Sequence, residues 1–257
     1  MKSMLQAVRE FFRSKPVTNP TTRFIVVSLP RTGTHMLRTL LNQHPNIRTE
    51  TELFNETSQH CRKWSRKSAP WVLENVAWRE GPQQIRGCMV HLCHGNTWGV
   101  WQHLMSRSDV RYLCLRRFNL LEQYLSFQQA LVHQHWQTYR HESRPSVQAM
   151  SFKPQQAEQY FQEMEAYWQF FAEAFSNRPN CTVWYEDLCR ETETVSQQAQ
   201  VFLGATPISG FEPDTVKVGR PASELISNYD ELREYFSGTS YRAFFADEDS
   251  LPRRLAG

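Results

Sequence analysis

The chain has 257 residues, a formal net charge of +3 and 40% hydrophobic residues. That length suits one large α/β domain with a full core, and the positive excess is too mild to argue for nucleic acid while fitting a small anionic ligand. Six cysteines (Cys61, Cys88, Cys93, Cys114, Cys181 and Cys189) form no Cys-x-x-Cys pair, so they read as reduced thiols in a cytoplasmic protein, and no stretch approaches the roughly 20 apolar residues of a transmembrane span.

Residues 1–22 read as a short helix and a Pro/Thr linker ahead of a single domain over 23–257. Met4, Leu5, Val8, Phe11 and Phe12 share one helical face, which packs on the domain or touches a membrane surface. From Phe24 an apolar run suits the centre of a parallel sheet, Pro30 and Gly33 shape a turn, and Met36, Leu37, Leu40 and Leu41 recur at helical spacing. His44-Pro45 ends that helix, because proline disfavours helical geometry in the residue before it. Residues 56–82 read as irregular helix and loop. Strand-like runs follow at 85–92 and 110–115, with a helical segment at 98–106 between them. Helical periodicity returns over 120–135, a polar linker covers 139–154, and 155–175 forms a long helix with Tyr160, Met164, Tyr167, Trp168, Phe171 and Phe175 on its core face. A strand at 181–185 leads to a helix over 192–203 closed by Gly204, and a short helix lies around 229–236. This alternation predicts a three-layer α/β fold, P-loop-like, with a central parallel sheet flanked by helices.

Pro30-Arg31-Thr32-Gly33-Thr34-His35 sits where a strand runs into a helix. The first N–H groups of a helix lack intrahelical partners and its dipole is positive there, so with two threonine hydroxyls and a fixed arginine charge the expected guest is an anion. The nucleoside-triphosphate loop G-x-x-x-x-G-K-[ST] is absent: the segment has no Gly-Lys pair, and Arg31 precedes the glycine.

The order P-R-T-G-T resembles the 5′-phosphosulfate loop of sulfotransferases. The resemblance continues in chain order to about residue 240. It includes the R-R-x-N-L-L-x-Q-x-x-S phrase from Arg116 to Ser126, similar to the bacterial and carbohydrate-type branch, and Tyr185-Glu186-Asp187-Leu188 followed by Phe202-Leu203-Gly204. It implies 3′-phosphoadenosine 5′-phosphosulfate (PAPS) as donor and 3′-phosphoadenosine 5′-phosphate (PAP) as product, with no metal. Arg31, Thr32, Gly33, Thr34 and His35 would then line the phosphosulfate loop. In the family an arginine at the strand end and a serine eight residues later hold the 3′-phosphate. Here Ser126 has Phe118 eight residues back and Arg117 nine, so either a bulge brings Arg117 in or Arg116 and Arg117 share the task. Tyr185 would meet the nucleotide, while Glu186 and Asp187 could simply cap the next helix. Lys217-Val218-Gly219-Arg220 resembles the late basic loop that closes over the 3′-phosphate.

For catalysis the resemblance implies that Arg31 stabilises charge on the leaving 5′-phosphate and that a base takes the acceptor proton. Glu52, in E-L-F-N, matches the glutamate of bacterial members. His91 lies where small-molecule members place a histidine, with Met89 in place of their lysine. Cys88, His91, Cys93 and His94 would not converge on a metal without a sharp turn, because alternate strand residues face opposite sides. A serine hydrolase lacks its G-x-S-x-G elbow. The expected activity is sulfuryl transfer to a hydroxyl, or an amine, of a carbohydrate, glycolipid or small metabolite, with residues 56–82 and 133–150 near the acceptor. Two alternatives stand beside it: a phosphotransferase with a divergent nucleotide loop, and a non-catalytic nucleotide-binding protein of the same fold.

Overall fold

The computed structural model describes residues 22–57, 59–96, 98–136, 148–214 and 220–246. The helix and apolar stripe expected over 1–22 lie outside the described residues, save Thr22 itself.

Strand β1 (Thr22–Ser28) explains the layering. Phe24 and Val26 enter one core cluster with Leu37, Leu40, Leu41, Val195 and Ala199, whereas Ile25 and Val27 enter another with Trp101, Leu121, Phe161 and Phe171. Successive strand side chains point to opposite faces, so a strand that is apolar on both must lie between two helix layers. On the first face pack α1 (Thr34–Gln43), which ends as expected with His44 extended before Pro45, and α8 (Thr192–Phe202), which is followed by Gly204 at φ 87°. Between them in the chain come β2 (Ile47–Glu52), α2 (Gln59–Arg62), α3 (Ala69–Val72) with a π turn over Leu73–Ala77, β3 (Ile85–His91) and α4 (Val100–Met105). They are followed by β4 (Val110–Arg116), α5 (Leu120–His133), α6 (Pro154–Ala174), β5 (Asn180–Trp184) and α7 (Tyr185–Arg190). Helices α3 to α6 contribute to the second face. Beyond α8 lie α9 (Ala222–Leu225), α10 (Tyr229–Tyr235) and a 3-10 turn over Ser240–Phe245.

The strands form one sheet in the order β2-β3-β1-β4-β5, every adjacent pair parallel. The three-layer architecture expected from the sequence is therefore present. Open parallel sheets bind ligands beyond the carboxyl ends of their strands, where the order of connection reverses. Here that edge is central, because β1 sits between β3 and β4 and brings Ser28 level with His91.

Strand β2 has no apolar alternation to announce it; Ile47 and Thr49 are buried while Arg48 is exposed. Its register shifts between Glu50 and Glu52: Glu50 aligns with Cys88, and Glu52 with Met89. Without the extra residue Glu52 would align with Val90 and face the other side of the sheet. The bulge places it on the face shared by Met89 and His91. All six cysteines are free, and no helix among the described residues is long and apolar enough to cross a membrane.

Candidate active site

The turn after β1 places two residues in left-handed backbone geometry, Arg31 at φ 65° and Gly33 at φ 88°. Glycine is needed at 33 for a second reason. A Cβ there would lie 2.5 Å from Cδ2 of Tyr185, whose ring covers the turn. Thr32 Oγ1 donates to the Leu29 carbonyl at 2.8 Å, so this hydroxyl braces the loop from within. Gln123 Nε2 adds a second brace on the Pro30 carbonyl at 2.9 Å. Thr34 and His35 open α1, whose N-terminus no side chain caps.

Two arginines meet at this turn. Arg31 Nε donates to Ser126 Oγ at 2.9 Å, and its Nη1 donates to the Trp136 carbonyl. Arg117 Nη1 donates to the Arg31 carbonyl at 3.2 Å, and its guanidinium lies 4.7 Å from the centre of the Tyr185 ring. Burial, and then the Arg117 charge, lower the Arg31 pKa from its ordinary value. Arg116 sits elsewhere: β4 pairs with β5 without a break up to Arg116 opposite Trp184, and its guanidinium is held 4.7 Å from Trp168 and 5.0 Å from Trp184. Arg117 thus reaches the loop from the residue after the strand, with no bulge. The R-R pair leaves the strand with its two side chains on different errands.

Sequence reasoning missed Glu122. Its backbone N–H is capped by Asn119 Oδ1 at 3.0 Å, while its buried carboxylate lies 3.4 Å from Arg117 Nη2 and accepts the Ala222 N–H at 2.8 Å. It therefore ties Arg117 to the start of α9, just beyond the late basic loop. Lys217 of that loop lies outside the described residues, and Arg220 pairs with Glu224 at 3.4 Å on the surface. The capping expected of Glu186 also needs correction. It accepts the Phe118 and Asn119 N–H groups at 3.0 to 3.1 Å, capping α5 across the sheet edge, whereas Asp187 pairs with Arg190 at 2.9 Å within α7.

Glu52 and His91, candidates for one role, are a bonded pair. His91 Nε2 lies 2.9 Å from Glu52 Oε1, and its Nδ1 lies 2.9 Å from Ser28 Oγ. An ionised carboxylate only accepts, so Nε2 carries the hydrogen. Asn55 Nδ2 donates to the other carboxylate oxygen at 2.8 Å. Burial alone would raise the Glu52 pKa; the charge and hydrogen bond of His91, the Asn55 hydrogen bond and the His35 charge outweigh it and hold the carboxyl at about 2. His35 shares this environment, burial lowering its pKa while Glu52 raises it. The Glu52 side chain is 16% exposed against 4% for His91.

The turn that seemed necessary for convergence exists. His94 N donates to the His91 carbonyl at 2.9 Å, and the two imidazoles stand 5.1 Å apart. The argument that alternate residues must diverge therefore fails for His91 and His94, because β3 ends at His91. Burial, then the His91 charge, push the His94 imidazole down to about 4. Beyond Asn55, Trp64 and Trp71 are half-buried against the core with ring centres 5.9 Å apart, and Lys67 lies 4.6 Å from the Trp71 ring.

Residues 23–108 match the sequence profile described as the sulfotransferase family. The chain is 27% identical over 240 residues to nodulation protein H of Rhizobium tropici, covering 90% of this chain and 96% of that protein. It is 25% identical over 238 residues to nodulation protein H of Rhizobium meliloti, covering 89% and 96% respectively. Its fold is similar to the crystal structure of a sulfotransferase from Alicyclobacillus acidocaldarius, with a TM-score of 0.52, 19% identity, and coverage of 86% of this chain and 92% of that one.

Proposed function

We propose that the chain is a sulfotransferase, as its match to that family's profile over residues 23–108 supports, and that it moves a sulfuryl group from PAPS to a hydroxyl, or an amine, of a carbohydrate, glycolipid or small metabolite. The observation that carries this reading is the meeting of Arg31, Arg117, Ser126 and Tyr185 at the uncapped N-terminus of α1, beside a carboxylate that bonds to a histidine. Two guanidinium groups and a free helix end suit a ligand with phosphates at both ends.

The donor supplies the sulfuryl group; the residues of this chain supply position and charge. The α1 N–H groups and Arg31 bind the 5′-phosphosulfate, and Arg117 and Ser126 bind the 3′-phosphate, with Ser126 exchanging its bond to Arg31 for one to the ligand. Tyr185 flanks the nucleotide from its seat on Gly33 and Arg117. Glu52, the more exposed member of its pair, takes the proton of the acceptor as that oxygen bonds to sulfur. Arg31 holds the charge that remains on the 5′-phosphate when its bond to sulfur breaks. His91 and Asn55 are positioning residues that fix the plane of the carboxylate. Trp64 and Trp71 offer ring faces on which a sugar could pack, which favours a carbohydrate acceptor. Six free thiols support a reducing, cytoplasmic setting, and residues 23–257 form the domain.

The test pairs a binding measurement with a turnover measurement. PAP should raise the melting temperature, because a ligand bound only to the folded state stabilises it by mass action. Mg-ATP should not; an equal or larger rise with Mg-ATP moves the reading to a phosphotransferase. Glu52→Gln should bind PAP as the parent does and lose roughly 10² or more in turnover, with a smaller loss for His91→Asn. Near-parental turnover in Glu52→Gln, with none in His91→Asn, would transfer the role of base to His91.

A further inference from the structure

We propose that Glu52, His91 and His94 form a three-ligand site for Zn²⁺, and that Zn²⁺ bound there inhibits the enzyme. One carboxylate oxygen and one nitrogen from each imidazole all lie within 4.8 Å of one another. Around a tetrahedral zinc at the usual bond lengths, ligand atoms stand roughly 3.3 to 3.5 Å apart. The 2.9 Å between His91 Nε2 and Glu52 Oε1 need open by only a few tenths of an ångström, and rotation of the His94 ring can close the wider separation.

Three further features suit a metal. Ser28 Oγ holds His91 Nδ1 and Asn55 Nδ2 holds the second carboxylate oxygen, the kind of outer contacts that orient metal-binding side chains. His94 Nδ1 is shut off from solvent with no hydrogen-bond partner among the described residues, so its ring has no evident structural bond on that side. Two imidazoles and one carboxylate favour zinc over magnesium, which prefers an octahedron of oxygens, and three protein ligands leave one position open to water. For zinc to take His91 Nε2 the hydrogen there must leave: a neutral ring carries its hydrogen on Nδ1 instead, where it donates to Ser28 Oγ, and an imidazolium releases one proton to solvent. Once its oxygen is bound to zinc, Glu52 no longer serves as base, so inhibition follows from the same contact that makes the site.

The reading of the inhibition rests on the proposed role of Glu52; metal binding does not, and it is measured on the full chain with neither donor nor acceptor present. Co²⁺ should give a visible absorption band that Zn²⁺ abolishes, and ZnCl₂ should raise the melting temperature where MgCl₂ does not. His94→Ala should weaken zinc binding at least about tenfold. Zinc-free turnover and PAP binding should match the parent in that variant, and His94→Asn serves if the alanine variant folds poorly. Zinc should inhibit the parent, a chelator should restore it, and the His94 variant should resist. The site is refuted if no cobalt band and no zinc stabilisation appear, or if both His94 variants bind zinc as tightly as the parent. Binding without inhibition overturns the inhibitory role. A failure of either kind leaves the PAP result standing, and a failed PAP result leaves the metal result standing.

Discussion

Gly33→Ala puts the packing of the turn between β1 and α1 to a quantitative test. Two penalties act at this position. A residue with a Cβ pays about 1 to 2 kcal/mol to hold the left-handed geometry seen at φ 88°. The added methyl would also stand 2.5 Å from Cδ2 and 2.9 Å from Cε2 of Tyr185, and such overpacking typically costs about 1 to 3 kcal/mol more. The ring cannot retreat without disturbing its contact with Arg117. We therefore expect Gly33→Ala to lose about 2 to 5 kcal/mol, a large part of a typical domain's stability. The assay is urea unfolding followed by tryptophan fluorescence, run on the parent, Gly33→Ala, Tyr185→Ala and the double variant. With the ring removed, the added methyl should cost only its backbone share of about 1 to 2 kcal/mol, so the two substitutions should be strongly non-additive. Additive losses, or a single Gly33→Ala variant within about 0.5 kcal/mol of the parent, would refute the account of the turn.

Two further outcomes follow from other contacts. Arg117→Ala should weaken PAP binding by roughly 1.5 to 3 kcal/mol in calorimetry, the worth of charge-assisted hydrogen bonds, whereas Arg116→Ala should leave it nearly unchanged and reduce stability through its lost tryptophan contacts; the reverse pattern would reassign the 3′-phosphate to Arg116. At the opposite edge of the sheet, hydrogen bonds from Arg107, opposed by burial and joined by Arg23, hold the Asp109 carboxyl below its ordinary range. A depressed folded-state pKa contributes stability above the unfolded value, about pH 4, that is lost as the pH falls. Asp109→Asn should thus be less stable than the parent near neutrality, by a gap that narrows in urea unfolding as the pH falls below about 4, and a gap that does not narrow would sink the assignment.

Local signals carried much of this architecture. The run from Phe24 to Val27 is apolar on both faces because two helix layers cover it, and that alone marks it as a central parallel strand. The turn at Arg31 to Thr34, the spacing of Leu37, Leu40 and Leu41, and the stop at His44-Pro45 are likewise matters of neighbouring residues. The family resemblance rode on the same short segments. Side-chain facing is a different kind of fact, set by register between segments distant in the chain. The bulge in β2 turns Glu52 toward His91, and nothing in Ile47–Glu52 announces it, since the shift exists only relative to β3. Arg116 and Arg117 are equivalent as letters; strand pairing ends at the first and sends it to Trp168 and Trp184, leaving the second to the turn at Arg31. Glu122 reads as an ordinary first-turn acid until α9 brings the Ala222 N–H to it. His94 meets His91 because the strand stops one turn early enough for the backbone to fold back. Period and capping are written in adjacent residues, while convergence of side chains depends on long-range pairing, and for that reason the loop was legible from the sequence and the Glu52–His91 pair was decided by the tertiary structure.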